Sequence, residues 1–243
     1  MRRDVLNLRA FYATPLGAAV RDQVARKLVE AWGDAHGLDV LGLGYATPFL
    51  EPFMEKARRA VAAMPGQQGV EVWPAGRANL ACLGDERGLP FPNALFDRVL
   101  VIHGLEESDD ADAMMEEVQR VLSPSGRAIV AVASRRGPWA GSEATPFGYG
   151  RPFTRTQLEE VVRRAGLEPA AWSRCLYVPP LPLLAPYAEA FEQVGSRLVP
   201  PVSGLILLEV VKQTFAVKPK AVRAPVFAPG ALRPAAPGVA REH

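Results

Sequence analysis

The sequence predicts a doubly wound α/β domain, and three observations lead there. Continuous apolar runs of strand length recur along the chain. Segments with apolar residues at three- and four-residue spacing separate them. Glycine, proline and capping residues mark the boundaries. Alternation of this kind implies a mostly parallel sheet with helices on both faces and right-handed crossovers.

Thr14-Pro15 opens the first clear helix, with Thr as N-cap and Pro at the first helical position. Val20, Val24, Leu28 and Trp32 then recur every four residues, and Gly33 stops the helix. Leu38 to Leu43 reads as a buried strand running into Gly44-Tyr45-Ala46-Thr47-Pro48. A helix is expected from about Glu51 to Ala63, then a short strand from Val70 to Trp73. A third strand, Leu80 to Leu83, ends at Gly84-Asp85-Glu86. Arg98 to His103 is a fourth, apolar throughout after Arg98, as suits a sheet covered on both sides.

Ser108 is expected to cap the next helix, whose Met114, Val118, Val121 and Leu122 share one face. Pro124-Ser125-Gly126 turns into a fifth strand, Ala128 to Ala133. Thr154 and Gln157 form a capping box before a helix that buries Leu158, Val161, Val162 and Ala165. A sixth strand spans about Ala171 to Tyr177. A helix with Tyr187, Phe191, Val194 and Leu198 precedes the last strand, Gly204 to Val211.

The 243 residues are 49% hydrophobic and 22% charged, which suits one globular domain with a full core. Cys82 and Cys175 have no metal-ligand spacing, so neither a disulfide framework nor a metal site is expected. No run approaches the roughly 20 apolar residues of a membrane span. No apolar stretch follows the early arginines as a signal peptide requires, so a cytoplasmic location is expected. Residues 214–243 hold five basic residues and one acid, whereas residues 1–213 carry 23 basic and 25 acidic. The body is therefore not expected to bind nucleic acid. The Ala- and Pro-rich end reads as a disordered basic tail beyond a domain of residues 1–213.

Three motifs carry a resemblance. Val40-Leu41-Gly42-Leu43-Gly44-Tyr45-Ala46 resembles the first motif of class I S-adenosylmethionine-dependent methyltransferases. Gly84 to Glu107, with Asp85, Leu89, Pro90, Phe91, Phe96 and Asp97, looks like the third-to-fourth-strand segment of their type-11 branch. Glu117 to Val130 is similar to that branch's helix, turn and fifth strand. The resemblance covers about residues 36–212. It implies a Rossmann-like methyltransferase fold: seven strands, mostly parallel, the last antiparallel.

The resemblance also implies site roles. Gly42, Gly44, Tyr45 and Ala46 form the loop that holds the methionine end of S-adenosylmethionine, with Gly42 standing where the family carries an acid. Trp73 aligns with the ribose-binding acid at the end of the second strand, which an indole cannot replace as acceptor. Asp85, beside Glu86, would accept from the adenine amino group. His103, at the end of the fourth strand, would face both cofactor and acceptor and can move a proton. The long 134–152 loop, with Arg135, Arg136, Trp139, Tyr149 and Arg151, suits an anionic, partly flat acceptor. No metal is implied. The resulting expectation is methyl transfer from S-adenosylmethionine to an unidentified acceptor. The alternative is a binding or regulatory protein of the same fold without catalysis. A dinucleotide-dependent oxidoreductase would need a glycine at Thr47.

Overall fold

The computed structural model describes residues 3–212. The tail expected over 214–243 lies outside the described residues. Seven strands form one sheet: β1 (Asp39–Gly44), β2 (Arg59–Pro65), β3 (Ala81–Gly84), β4 (Phe96–Ile102), β5 (Leu122–Ala133), β6 (Leu167–Cys175) and β7 (Leu205–Lys212). Their order is β3-β2-β1-β4-β5-β7-β6, and β7 runs antiparallel to both neighbours. The helices are α1 (Val5–Tyr12), α2 (Pro15–Trp32), α3 (Thr47–Leu50), α4 (Ala111–Val121), α5 (Arg155–Arg164) and α6 (Ala188–Leu198).

Both faces of the sheet are buried, which is why the inner strands read as unbroken apolar runs. In β1, Val40 joins the cluster that holds α1, α2 and Trp139, while Leu41 and Leu43 join the cluster under α4 and α5. The chain leaves β1 toward β2 on one side and returns to β4 on the other. That reversal opens a crevice at the carboxyl ends of β1 and β4, where ligands bind in open α/β sheets.

The second strand is not where the sequence places it. Residues 59–63, expected at the end of a helix, instead pair in parallel with β1 from Asp39↔Arg59 to Leu43↔Ala63. Ala60, Ala62 and Ala63 favour helix intrinsically, but pairing to strands on both sides overrides that preference. Pro48 and Pro52 confine the preceding helix to one α turn and one 3₁₀ turn. Val70 to Trp73 forms no strand. Trp73 therefore does not end β2; Met64 and Pro65 do.

Smaller corrections follow the same logic. Asp110, not Ser108, caps α4, accepting from the Ala113 N–H at 3.0 Å. Ser108 instead donates to Glu86 Oε1. The turn expected at Pro124-Ser125-Gly126 is part of β5, which starts at Leu122 and shifts register against β4. β6 begins at Leu167, four residues before the expected start.

The capping box at Thr154 forms as expected, with Thr154 Oγ1 accepting from Gln157 N–H and Gln157 Oε1 accepting from Thr154 N–H. Thr154→Ala should cost about 1 kcal/mol. The measurement is a urea melt, with a lower midpoint at unchanged slope expected. An unchanged midpoint would show that the cap contributes nothing.

Candidate active site

The turn after β1 is shaped by backbone contact. Gly44 has a φ of +88°, and a Cβ there would fall 2.2 Å from the Ile102 carbonyl oxygen at the end of β4. The Tyr45 N–H donates to that same oxygen at 3.0 Å. At Gly42 a Cβ would lie 2.5 Å from the Ala46 Cβ and 2.8 Å from Leu50 Cδ1. The acid expected of the family at position 42 has no room here. Gly42 and Ala46 are a close-packed pair, and both are buried along with Tyr45.

Over this turn lies α1, a helix the sequence reading did not identify. Its Val5 N–H donates to the Gln68 carbonyl beyond β2, and the Arg3 N–H donates to Glu107 beyond β4. The Arg3 guanidinium sits 3.7 Å from the Tyr149 ring centroid and donates to the Glu143 carbonyl. The helix ends on Tyr12, whose ring stacks on Tyr45 at 5.8 Å and meets Phe49 edge-on. Its hydroxyl lies 2.5 Å from His103 Nε2.

His103 has a φ of +50°, a left-handed conformation that histidine tolerates better than most residues. It is buried between Tyr12 and Phe147, the Phe147 ring centroid 4.6 Å away. Burial, with the Arg3 charge adding to it, holds the imidazole down at about 3. Burial likewise pushes the Tyr12 phenol well above its ordinary value. The pair is therefore neutral, and the phenol donates to Nε2 in the tautomer that carries its proton on Nδ1. Glu106 anchors the far side: its Oε1 accepts from the Ala133 N–H, and its carbonyl accepts from the Arg151 N–H.

Two hollows flank this packed centre. One, of about 500 Å³, lies at the ends of β2 and β3 and is lined by Gly66, Gln67, Asp85, Glu86, Glu107 and Asp109 among others. Asp85 is exposed at its rim. It accepts from the Arg87 N–H at 2.9 Å, and Arg87 holds its carboxyl below the usual range. Glu86 is buried and accepts from the Ser108 hydroxyl. The other hollow, of about 360 Å³, lies on the outer side of Tyr12 and Tyr45 and is also bordered by Arg9, Thr47, Glu71 and Trp73. Trp73 is held there by Asn79, which accepts from its N–H at 3.2 Å.

The 134–152 loop is packed at its middle and exposed at its ends. Trp139 is fully buried, with Nε1 donating to the Val178 carbonyl at 2.8 Å and Gly204 against the ring. It is a core residue, not part of an acceptor face. Arg135, Arg136 and Arg151 are exposed. Arg135 donates to the Pro152 carbonyl, and Arg151 lies over the Phe153 ring. None of the three borders either hollow.

The structure thus brings together Gly44, Tyr45, Ala46 and His103. It sets Asp85 and Glu86 in one hollow, Trp73 in another, and the loop arginines outside both. The residues missed were Tyr12 and Gln68. For Tyr12 a signal existed: Asp4 as cap, then Val5, Leu8 and Tyr12 as a helical stripe. Gln68 had none, because its burial depends on where β2 ends. Both atoms of its side-chain amide are buried without a partner.

A histidine held low is protonated first in the unfolded chain. Its neutral burial stabilises the fold fully above pH 6.5, and that contribution is lost as pH falls toward 3. Imidazole ¹⁵N NMR should therefore show His103 uncharged at about pH 5. A His103 titrating near 6.5 would contradict the burial described.

Residues 30–130 match the family model described as a methyltransferase domain. The curated ubiquinone/menaquinone biosynthesis C-methyltransferase UbiE of Ralstonia nicotianae is 41% identical over 56 residues, 23% of each chain. The chain spans less than half the length of the curated relatives it matches. Among solved structures, the cyclase SpnF superposes with a TM-score of 0.56 at 22% identity, covering 78% of this chain and 79% of that one. The 1,6-didemethyltoxoflavin-N1-methyltransferase of Burkholderia thailandensis, solved with bound S-adenosylhomocysteine, gives 0.51 at 20% identity over 80% and 78%. The strand order and the antiparallel last strand give the chain the fold of these solved structures, and the segment that matches the methyltransferase domain model runs from the end of α2 through β1 to β4 and into β5.

Proposed function

We propose that the chain transfers a methyl group from S-adenosylmethionine, held across the carboxyl ends of β1 to β4. The observation that carries this reading is the hollow of about 500 Å³ at the ends of β2 and β3. It suits a nucleoside in size, and a Cβ at Gly66 would meet nothing within 4 Å, so its floor is open. Asp85 offers a carboxylate to an adenine amino group at the rim. Gln67 and Glu107 offer polar groups where a ribose would lie. The amino-acid end of the cofactor would point toward Gly44 under α1. When bound, the cofactor supplies an electrophilic methyl group on a sulfonium.

His103 is assigned a positioning role. It is neutral and hydrogen-bonded to Tyr12, so its task is to hold α1 against the strand ends. Methyl transfer to a nucleophilic acceptor needs chiefly such alignment. The second hollow is assigned to the acceptor. It borders the glycine turn through Tyr45, and it joins the Tyr45 and Trp73 rings to Arg9, which has no ion pair among the described residues. A flat acceptor fits the two rings, and the hollow's Arg9 and Arg21 are offset by its Glu51 and Glu71.

One observation favours a second reading, a binding protein without catalysis. Gly42 excludes an acid, and aromatic rings fill the space beside the turn. Calorimetric titration with S-adenosylmethionine and S-adenosylhomocysteine separates the two. Binding is expected, and Asp85→Ala should weaken it by roughly tenfold while leaving the melting temperature unchanged. No binding of either compound by the wild-type protein would remove the enzymatic reading. Unchanged affinity in the variant would remove Asp85 from the site.

A further inference from the structure

Gln68 is a buried polar side chain that the fold does not use. It stands in the loop after β2, one residue past the exposed Gln67, and is itself 1% exposed. Its backbone is fully engaged. The N–H donates to the Pro65 carbonyl at 2.9 Å, and the carbonyl accepts from the Val5 N–H at 2.8 Å. Its side-chain amide is not. Nε2 and Oε1 are both shut off from water without a hydrogen-bond partner, and no other side chain among the described residues leaves two buried polar atoms in that state. An amide so placed costs the free protein stability, because it has given up its water and gained no partner. The start of α1 lies against this loop: beside the Val5 bond, a Cβ at Gly69 would sit 3.4 Å from Val5 Cγ1.

We propose that the Gln68 amide binds the amino-acid end of S-adenosylmethionine, an assignment that rests on the methyl-transfer reading above. Position supports it. Gln67 lines the hollow of about 500 Å³, whereas Gln68 does not; it lies past that hollow on the side of α1. Glu107 both lines the hollow and accepts from the Arg3 N–H just before α1. A nucleoside filling the hollow therefore directs its remaining atoms toward the helix that lies against the Gln68 loop. Chemistry supports it as well. Position 42 has no room for an acid, so the cofactor's ammonium group lacks an acceptor there. An amide serves both charges of an amino acid: Oε1 accepts from the ammonium group, and Nε2 donates to the carboxylate. The start of α1 shifts to admit the ligand and closes over it, and the amide then has the partner that the free protein does not give it.

The test is calorimetric titration of the full chain with S-adenosylhomocysteine and with 5′-methylthioadenosine, which keeps the nucleoside but lacks the amino-acid end. Gln68→Leu should raise the melting temperature of the free protein by about 2–4 °C, since it removes an unpaired buried amide. The same variant should bind S-adenosylhomocysteine roughly tenfold or more weakly, yet bind 5′-methylthioadenosine as the wild type does. Gln68→Met, closer in length to the native side chain, should reproduce both effects. A purely structural role would move stability and leave the ratio of the two affinities unchanged. Wild-type affinity for S-adenosylhomocysteine in both variants, or an equal loss for both ligands, would overturn the proposal and leave the methyl-transfer reading standing. So would a lower melting temperature in both variants, because the amide would then already have a partner, such as an ordered water, in the free protein. Failure of the wild type to bind either compound would remove the methyl-transfer reading and this assignment with it.

Discussion

The contact between Tyr12 and His103 ties the N-terminal helix to the end of β4, and the shape of the site follows from it. With both groups neutral and buried, the hydrogen bond forms in a poorly solvated place, where an unpaired partner would be costly. It fixes the Tyr12 ring against Tyr45 and Phe49 on one side, while Phe147 closes the other. The crevice is thereby divided into a nucleoside-sized hollow on the β3 side and an aromatic hollow beyond Tyr45. The left-handed backbone at His103 belongs to the same arrangement, and such conformations persist where surrounding contacts over-determine them.

A second constraint is the close approach of β1 and β4. Gly44 is required by the Ile102 carbonyl and Gly42 by Ala46. Both glycines stand at motif positions, yet the protein's own atoms already account for each. The missing acid at position 42 follows from this packing: Ala46 sits where a side chain from residue 42 would have to pass. In this domain, backbone groups and a buried neutral pair shape the turn after β1, and the carboxylates gather around the hollow at the ends of β2 and β3.

Much of the fold was legible because it rests on local chemistry. The Thr14-Pro15 start of α2, the Thr154 capping box, the apolar runs of β1, β4, β5 and β7, and the Gly84-Asp85 turn are all written in neighbouring residues. What could not be read depends on distant partners. The Ala-rich β2 takes its strand conformation from β1 and β3, and misplacing it carried Trp73 to the wrong position. α1 is short and earlier than the first strong helix signal. The outward face of α6 is set by Gly195 against Tyr177, a contact that periodicity alone does not reveal. Of the candidate site, the glycine turn, Asp85 and His103 were proposed from the sequence, while Tyr12 and Gln68 became visible only with the fold.

The central claim is that the ligand lies between the ends of β1 to β4 and beneath α1. Amide hydrogen exchange with and without S-adenosylhomocysteine addresses it most directly. The account predicts slower exchange in three separate stretches: residues 66–69 after β2, residues 84–88 after β3, and residues 5–12 of α1. Protection confined to surfaces away from the strand ends, or a bound state in which α1 exchanges as fast as in the free protein, would contradict it.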